Sequence, residues 1–169
     1  MTFDYASLAA RIRTAHPDYA PHAPVGEDLS YLESLQLPYE VAEFYRTHAP
    51  HKTIGSSSQL LSISSIREEH EDYEPGITLR RLGCTVLVTA NGNPYFCVSE
   101  DDGYRILYAD HEEIGDNDET LEDVLGAAPE ELAFTLTELL EAFAAQVLPA
   151  SPHSDTEMEK LRAWRAART

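Results

Sequence analysis

Apolar side chains recur at helical spacing in three segments of the chain, and these segments carry signals for where a helix begins or ends. The stripes are Phe3, Leu8 and Ile12, with Tyr5 beside them; Val41, Phe44, Tyr45 and His48; and Leu136, Leu139, Leu140, Phe143 and Val147. Pro38 suits the first turn of the second helix, where its missing N–H costs nothing, and Pro50 ends that helix. Thr135 and Glu138 have capping-box spacing at the start of the third. The pattern therefore predicts three amphipathic helices.

Between the second and third helices, alternation and β-branched content predict a three-stranded antiparallel meander. The strands are TVLVTA (85–90), YFCVS (95–99) and YRILYAD (104–110). Asn91-Gly92 is the strongest short-range hairpin signal, because both residues tolerate positive φ. Pro94 can be accommodated at the start of the second strand, and EDDG (100–103) forms the second turn.

Shorter signals predict the remaining elements. In chain order they are a proline-rich connector (17–24), a short helical turn (31–36), a loop (51–59), a short strand through Leu61 and Ile63, and a brief acidic helix that Pro75-Gly76 ends. Ser65 and Glu68 have capping-box spacing at the start of that acidic helix. Ser154 and Glu157 have the same spacing at the start of a last helix, which carries several arginines.

Together these elements predict the α+β class: a twisted antiparallel sheet with a central three-stranded meander, flanked by N- and C-terminal helices. A length of 169 residues suits one domain with a tail. We assign residues 1–148 to that single domain, and residues 149–169 to a linker and a short C-terminal helix. Met158, Leu161 and Trp164 could dock this last helix on the domain, extend a partner interface or support a dimer.

Charge is the most unusual property of the composition. Twelve Lys and Arg stand against thirty Asp and Glu, for a net charge of −18 at pH 7. The tail (151–169) holds four cations and three acids, so the other 150 residues carry −19. Such a chain repels nucleic acid and anionic lipid, whose binding needs Lys and Arg. It would attract a basic protein over one Debye length, about 8 Å at physiological salt, although acidity can also serve solubility alone.

The sequence also indicates a compartment. The apolar runs are only a few residues long, so we predict no membrane span. The N-terminus lacks the basic start and apolar block of a secretory signal, and two cysteines are too few for a disulfide framework. We therefore expect a cytoplasmic protein.

Signals for catalysis or metal binding are weak. Cys84 and Cys97 lie at or within a strand, away from the helix N-termini and CxxC motifs that stabilise thiolates, so we expect them to pack. His48 and His51 would need a third metal ligand, which the sequence does not indicate. The stretch DNDETLEDVLGA (116–127) resembles a calcium loop only in composition, since its sixth residue is not glycine and its twelfth is not glutamate; it leaves room for no more than a weak, adventitious calcium site. We predict no catalytic residue, metal or cofactor.

Two acidic blocks remain as candidate docking surfaces. EEHEDYE (68–74) has five acids in seven residues, and eight acids lie among the fourteen residues 110–123. A charge run is usually a solvated face. Tyrosines supply contact area typical of interfaces, and those among or near the acids are Tyr73, Tyr95, Tyr104 and Tyr108. The candidate partner-binding residues are Glu68, Glu69, Glu71, Asp72, Tyr73 and Glu74 in a first patch, and Glu100, Asp101, Asp102, Asp110, Glu112, Glu113, Asp116 and Asp118 in a second.

The order of these features resembles the SUKH superfamily, which contains bacterial immunity proteins and fungal regulators of cell-wall synthesis. LPYEVAEFYRTH (37–48) is similar to the LP-aromatic helix that opens this family. TVLVTANGNPYFCVSEDDGYRILYADHEE (85–113) resembles its central meander, which closes on an Asp-His-Glu-like end, here residues 110–112. LAFTLTELLEAF (132–143) resembles its closing helix. The resemblance spans residues 29–147.

The resemblance implies an α+β domain without catalytic residues, and it implies that a bacterial member neutralises a cognate toxin by binding it. Our first hypothesis is a cytoplasmic immunity protein whose acidic surface covers the active site or basic groove of a toxin domain. The alternative is a regulatory or scaffold module in a cell-wall or signalling pathway. A third hypothesis, an enzyme with scattered carboxylates, has no pair of acids that the sequence singles out.

Overall fold

The computed structural model of the protein describes residues 3–115 and 118–169. The helices are α1 Tyr5–Ala15, α2 Gly26–Ser34, α3 Tyr39–His48, α4 Ile63–Asp72, α5 Gly76–Arg81, α6 Leu121–Ala127, α7 Leu136–Ala144 and α8 Asp155–Ala166. The strands are β1 Pro21–His22, β2 Ala49–Pro50, β3 Ile54–Gly55, β4 Ser58–Leu60, β5 Thr85–Ala90, β6 Asn93–Glu100 and β7 Gly103–Tyr108. The predicted α+β class, an antiparallel sheet flanked by helices, is confirmed.

In the described part of the chain, the main sheet has five antiparallel strands in the order β3-β4-β5-β6-β7. The predicted meander β5-β6-β7 is confirmed, with Phe96 of β6 paired to Val86 on one side and to Leu107 on the other. The meander forms one side of this sheet instead of its centre. The reason is that β4 and β3 continue the sheet beyond β5, where Leu60 pairs with Val88.

The stretch between β5 and β6 is a hairpin turn. Asn91 and Gly92 have φ of 49° and 84°, the left-handed values that a two-residue turn of this kind requires. At the other edge of the meander, Phe134 and Ile106 exchange backbone hydrogen bonds of 2.8 and 3.0 Å. This bridge pairs part of the β7 edge, which would otherwise present free N–H and C=O groups to another chain.

The core lies on both faces of the meander, so β5 is buried along its whole length. Helices α1 and α7 pack against each other, with Leu8 and Ile12 of α1 and Leu139 and Phe143 of α7 all buried. The predicted apolar stripes are confirmed within these helices, whereas Phe3 and Val147 lie outside them and are half-buried. Across residues 3–115 and 118–169, no helix combines the length and apolar character needed to cross a membrane.

Helix α4 begins earlier than its capping-box pattern predicted. Ser62, and not Ser65, is the N-cap, since its hydroxyl oxygen accepts a 3.2 Å hydrogen bond from the Ser65 N–H. The Thr53 hydroxyl oxygen accepts a 3.0 Å bond from the Ser62 N–H and so holds that residue outside the helix. The prediction that the preceding strand runs through Ile63 is wrong, because β4 ends at Leu60 and Ile63 is the first residue of α4.

Other short elements differ from the predictions. Residues 17–24 and 51–59, expected as a connector and a loop, contain the two-residue strands β1 and β3, which pair with β2 and β4. The helical turn expected at 31–36 is the end of α2, which begins at Gly26. Helix α5, which was not predicted, begins at Gly76, the glycine expected to end the acidic helix.

The C-terminal helix packs on the rest of the protein. Met158 and Leu161 are buried, with exposed fractions of 4% and 0%. Its arginines pair with acids of the domain: Arg162 with Glu131 at 2.7 Å, Arg165 with Glu138 at 2.7 Å, and Arg168 with Glu141. In the linker, the Pro149 carbonyl oxygen accepts a 2.5 Å hydrogen bond from the Tyr95 hydroxyl, which lies in the sheet. Of the three roles considered for this helix (docking on the domain, extending a partner interface or supporting a dimer), the structure shows docking on the domain.

Candidate protein-docking surface

Helix α4 presents the first acidic block to solvent. Glu68, Glu71 and Asp72 are exposed, whereas Ile66 on the opposite side is buried in the core. Glu69 is half-buried, and the pKa of its carboxyl is raised by burial and by the neighbouring Glu68 carboxylate. The amphipathic character of α4 thus places the exposed carboxylates on the outside of a helix whose other side is fixed to the sheet.

His70 attaches this block to two other elements. Its Nε2 accepts a 3.1 Å hydrogen bond from the backbone N–H of Val86 in β5. The ring proton therefore lies on Nδ1, which is 2.7 Å from the Tyr31 hydroxyl oxygen of α2 and donates to it. Burial, together with the positive charge of Arg80, lowers the pKa of His70 to about 4. The neutral ring is the form that fits between α2, α4 and β5.

We expect the protein to lose stability as the pH falls from 6.5 towards 4, because the folded state holds His70 neutral. The pKa of this imidazole falls from 6.5 to about 4 on folding, so protons bind the unfolded chain first. The stabilisation is complete above pH 6.5, decreases as the pH falls, and amounts to about 3 kcal/mol of unfolding free energy in total. Urea unfolding at pH 7 and pH 4 measures it. His70→Gln is the control, since it should lose about 3 kcal/mol less than wild type over this interval.

Parallel losses of stability in wild type and His70→Gln would contradict this role of His70. Every other ionisable group is common to both proteins. The difference between the two curves therefore isolates the imidazole.

Glu74 lies at the junction of the two acidic blocks. Its Oε1 accepts a 3.0 Å hydrogen bond from the Thr78 N–H and its Oε2 a 2.5 Å bond from the Thr78 hydroxyl, which caps the start of α5. The Cβ position of Gly115 faces the same carboxylate, 3.3 Å from Oε2. At Gly76, a Cβ would lie 2.2 Å from the Glu69 carbonyl oxygen, so only glycine allows α5 to pack this closely on α4. Glu74 therefore caps α5 and lies beside Gly115 of the second block.

The first part of the second block, residues 110–115, is a loop that follows β7 and is held at several points. The Asn93 side-chain oxygen accepts a 2.9 Å hydrogen bond from the His111 N–H. Asp110 Oδ1 accepts a 2.8 Å bond from the Glu112 N–H, and Ile114 is buried with an exposed fraction of 4%. Glu112 is exposed, as is the adjacent Glu113. The loop therefore presents carboxylates to solvent from a backbone that is tied to the sheet.

We define the acidic face as residues 68–74 together with the described residues of 110–118, which meet at Glu74 and Gly115. Asp118 is exposed, and Asp116, also predicted as a binding residue, lies outside the described residues. Arg67 pairs with Glu71 at 3.0 Å across one turn of α4, so that acid is partly neutralised. Like charges at this density create a negative potential that favours a cationic partner.

The turn Glu100–Asp102 does not lie beside Asp110, with which the sequence grouped it. Glu100 pairs with Gly103 at the end of β6, whereas Asp110 follows Ala109, whose N–H bonds to the Pro94 carbonyl oxygen at the strand's start. The two ends of β6 are separated by about seven residues, or roughly 23 Å at the usual rise of a strand. Glu100 is also paired with Arg105 at 2.5 Å. The second predicted patch is therefore divided between two ends of the sheet.

The tyrosines predicted among the acids have different environments. Tyr95 and Tyr108 are buried, with exposed fractions of 0% and 2%. Tyr104 is half-buried, and its hydroxyl donates a 2.6 Å hydrogen bond to Glu40. Tyr73 remains, with 52% of its surface exposed. Only this member of the group offers a large side chain to a partner.

The weak chemical candidates also have structural roles. Cys84 and Cys97 are buried, as predicted, and burial raises the pKa of each thiol to about 12. The His51 ring packs edge-on against His22 at 5.4 Å, and His48 stacks on Phe44. Within the described parts of the chain, no three His, Cys, Asp or Glu side chains come together in a group that could hold a metal ion.

The sequence reasoning did not single out Ile77, which is 42% exposed at the start of α5. A signal was present, because Leu79 and Leu82 have the i, i+3 spacing of a buried helix side, and a residue two positions before Leu79 falls on another side. Ile77 is therefore an exposed apolar residue next to the first acidic block, whereas the tyrosines of the meander are buried or half-buried.

Comparison with known proteins adds no identification. No protein-family model, curated protein or solved structure matches the chain. The functional conclusion therefore depends on the geometry of the acidic face and on the resemblance described for residues 29–147.

Proposed function

We propose that the protein is a non-catalytic immunity protein, which binds a cationic domain of a cognate bacterial toxin and neutralises it by occlusion. One observation carries the proposal. A Cβ added at Gly115 would lie 3.3 Å from Glu74 Oε2, so two acidic blocks that are far apart along the chain lie next to each other. The resemblance to the SUKH superfamily supports the same function.

The acidic face is suited to hold its charges in place while a partner binds. Its helix is fixed to the sheet through His70 and Val86, and its loop through Ile114 and Asn93. Carboxylates that are already positioned lose less entropy on binding than carboxylates on a mobile segment. The face therefore offers a prearranged set of acceptors.

The proposed partner surface is a basic groove. Carboxylates accept charge-assisted hydrogen bonds from Lys and Arg, as the phosphates of a nucleic acid do. A toxin domain that acts on nucleic acid presents such a groove, and an acidic protein seated there would block its substrate. Attraction between the two surfaces would accelerate association and make it sensitive to salt.

A growth assay tests the proposal. First, the chain is immobilised and used to retain a partner protein from extracts of its native host. This retained protein is then expressed in bacteria, alone and together with the chain. We expect the retained protein to arrest growth, and co-expression to restore it. The matched control is the acidic-face variant, defined as the chain with Glu68→Lys, Asp72→Lys, Glu112→Lys and Glu113→Lys, which should restore growth poorly.

Two results would overturn the immunity function. One is normal growth of cells that express the retained protein alone, which would favour a regulatory or scaffold module. The other is an arrest that the wild-type chain does not relieve.

A further inference from the structure

One exposed apolar residue, Tyr73, belongs to the acidic face, and a second, Ile77, lies beside it. Tyr73 and Ile77 are 52% and 42% exposed. The Ile77 N–H donates a 2.9 Å hydrogen bond to the Tyr73 carbonyl oxygen, so the two residues are neighbours at the corner between α4 and α5. In the described residues, the other large apolar side chains with this degree of exposure are Val25 and Tyr39, at the N-terminal ends of α2 and α3.

Acids lie around Tyr73. The Tyr73 hydroxyl is 3.5 Å from Glu68 Oε1, and Tyr73 lies in the chain between Asp72 and Glu74. Glu74 in turn lies beside Gly115 of the acidic loop. An exposed apolar centre with charged residues around it is the arrangement of a protein interface, in which a desolvated anchor is enclosed by a polar rim.

The fold does not need Ile77 for its core. Helix α5 is anchored by Leu79, which is fully buried, and by Thr78, which is 3% exposed and bonded to Glu74. Ile77 lies on the other side of this short helix and remains in solvent. An apolar side chain that contributes little to the core is available to a partner.

We infer that Tyr73 and Ile77 are the apolar anchor of the acidic face, and that its partner carries an apolar pocket bordered by Lys and Arg. This inference rests on the proposed function, because it assigns the anchor to the same docking surface. Charge complementarity selects the occupant. A second copy of this chain would bring two acidic faces together, and an anionic membrane would be repelled.

The anchor and the acids have separable roles. Rim charges act mainly on the rate of association and on its salt dependence. A desolvated aromatic and aliphatic pair acts mainly on dissociation, since it is exposed to water again only when the complex separates. Substitutions of the two kinds should therefore have distinguishable effects.

Two synthetic peptides of equal length and equal lysine content test whether Tyr73 and Ile77 bind apolar side chains of a cationic partner. One carries leucine and phenylalanine at helical spacing, and the other carries serine and glutamine at those positions. Fluorescence anisotropy measures the affinity of each peptide for the wild type, for Tyr73→Ser/Ile77→Ser, and for the control Val25→Ser/Tyr39→Ser. The control removes the same number of exposed apolar side chains outside the acidic face.

We expect the wild type to bind the apolar peptide about tenfold more tightly than the polar one, since a typical anchor residue contributes this much. Tyr73→Ser/Ile77→Ser should abolish that advantage and leave the affinity for the polar peptide unchanged. The control pair should retain the advantage. If the double variant does not fold, Ile77→Thr alone, which keeps a β-branched side chain, should still reduce it.

The outcomes separate this inference from the function on which it rests. If folded Tyr73→Ser/Ile77→Ser still binds the apolar peptide more tightly than the polar one to the same degree as the wild type, Tyr73 and Ile77 are not the anchor. The acidic face would remain as the proposed docking surface. Failure of the wild type to bind either peptide would overturn the acidic face as a docking surface for cationic segments, and the inference with it.

Discussion

Removing residues 150–169 is expected to lower the free energy of unfolding by about 5 kcal/mol, the largest stability change that we predict. Met158 and Leu161 are 4% and 0% exposed, and their loss uncovers the apolar surface beneath α8. Each buried side chain of this size contributes roughly 2–5 kcal/mol when truncated to alanine, so the estimate is conservative for a whole helix.

Loss of the helix also leaves buried polar groups without partners. The Ala150 carbonyl oxygen accepts hydrogen bonds from Asn93 and Tyr108, of 2.7 and 3.0 Å, and truncation removes this acceptor. Glu141 is only 8% exposed and is paired with both Arg168 and Arg11. Without Arg168 this buried carboxylate would have a single cation near it, which is costly because burial weakens its solvation.

Urea unfolding followed by circular dichroism measures this effect. Leu161→Ala, which keeps the helix, should cost about 3 kcal/mol and shows whether the effect comes from packing. Lys160→Ala is the control, because its side chain is exposed on the same helix and should change stability by less than about 0.5 kcal/mol. If the truncated chain unfolds at the same urea concentration as the full chain, α8 is not a stabilising part of the domain.

The acidic-face variant is expected to bind the retained partner at least about a hundredfold more weakly than the wild type at low salt. Its four positions are exposed, and they exclude the acids with structural roles. Glu74 caps α5, and Glu71 is paired with Arg67. The variant should therefore fold normally, and a chain with a net charge of −18 loses some self-repulsion when acids are replaced.

Location, and not net charge alone, should determine this loss of affinity. The pair Glu68→Lys/Asp72→Lys changes the charge by the same amount as Asp101→Lys/Asp102→Lys in the β6–β7 turn. Isothermal titration calorimetry should show that the double variant in α4 binds the retained partner several-fold more weakly than the double variant in the β6–β7 turn. Equal losses for the two pairs would contradict a localised docking face and indicate only general attraction between opposite charges.

The elements that the sequence predicted best are those with local signals. Strand β5 matches TVLVTA residue for residue, and the Asn91-Gly92 turn has the expected positive φ values. Thr135 and Ser154 are the N-caps of α7 and α8, as their spacing indicated. In each case the deciding interaction lies within a few residues of the chain, so a pattern in one sequence can reveal it.

The predictions failed where a distant contact decides the outcome. Three serines near the start of α4 could each cap it, and Thr53 on another segment selects Ser62. The sequence did not determine which of the tyrosines near the acids face outward, and Tyr95 is covered by the linker carbonyl of Pro149 and the ring of Phe134. The junction of Glu74 with Gly115 has no signal in either segment alone. The acidic residues were therefore predictable, but their joining into one face was not.

The most direct test of the acidic face is retention of partners from extracts of the native host, with the wild type and the acidic-face variant immobilised in parallel. Bound proteins are eluted with increasing salt and identified by mass spectrometry. We predict one protein that the wild type retains at low salt and releases at high salt, and that the variant does not retain. Equal retention of that protein by the wild type and the variant would contradict the account.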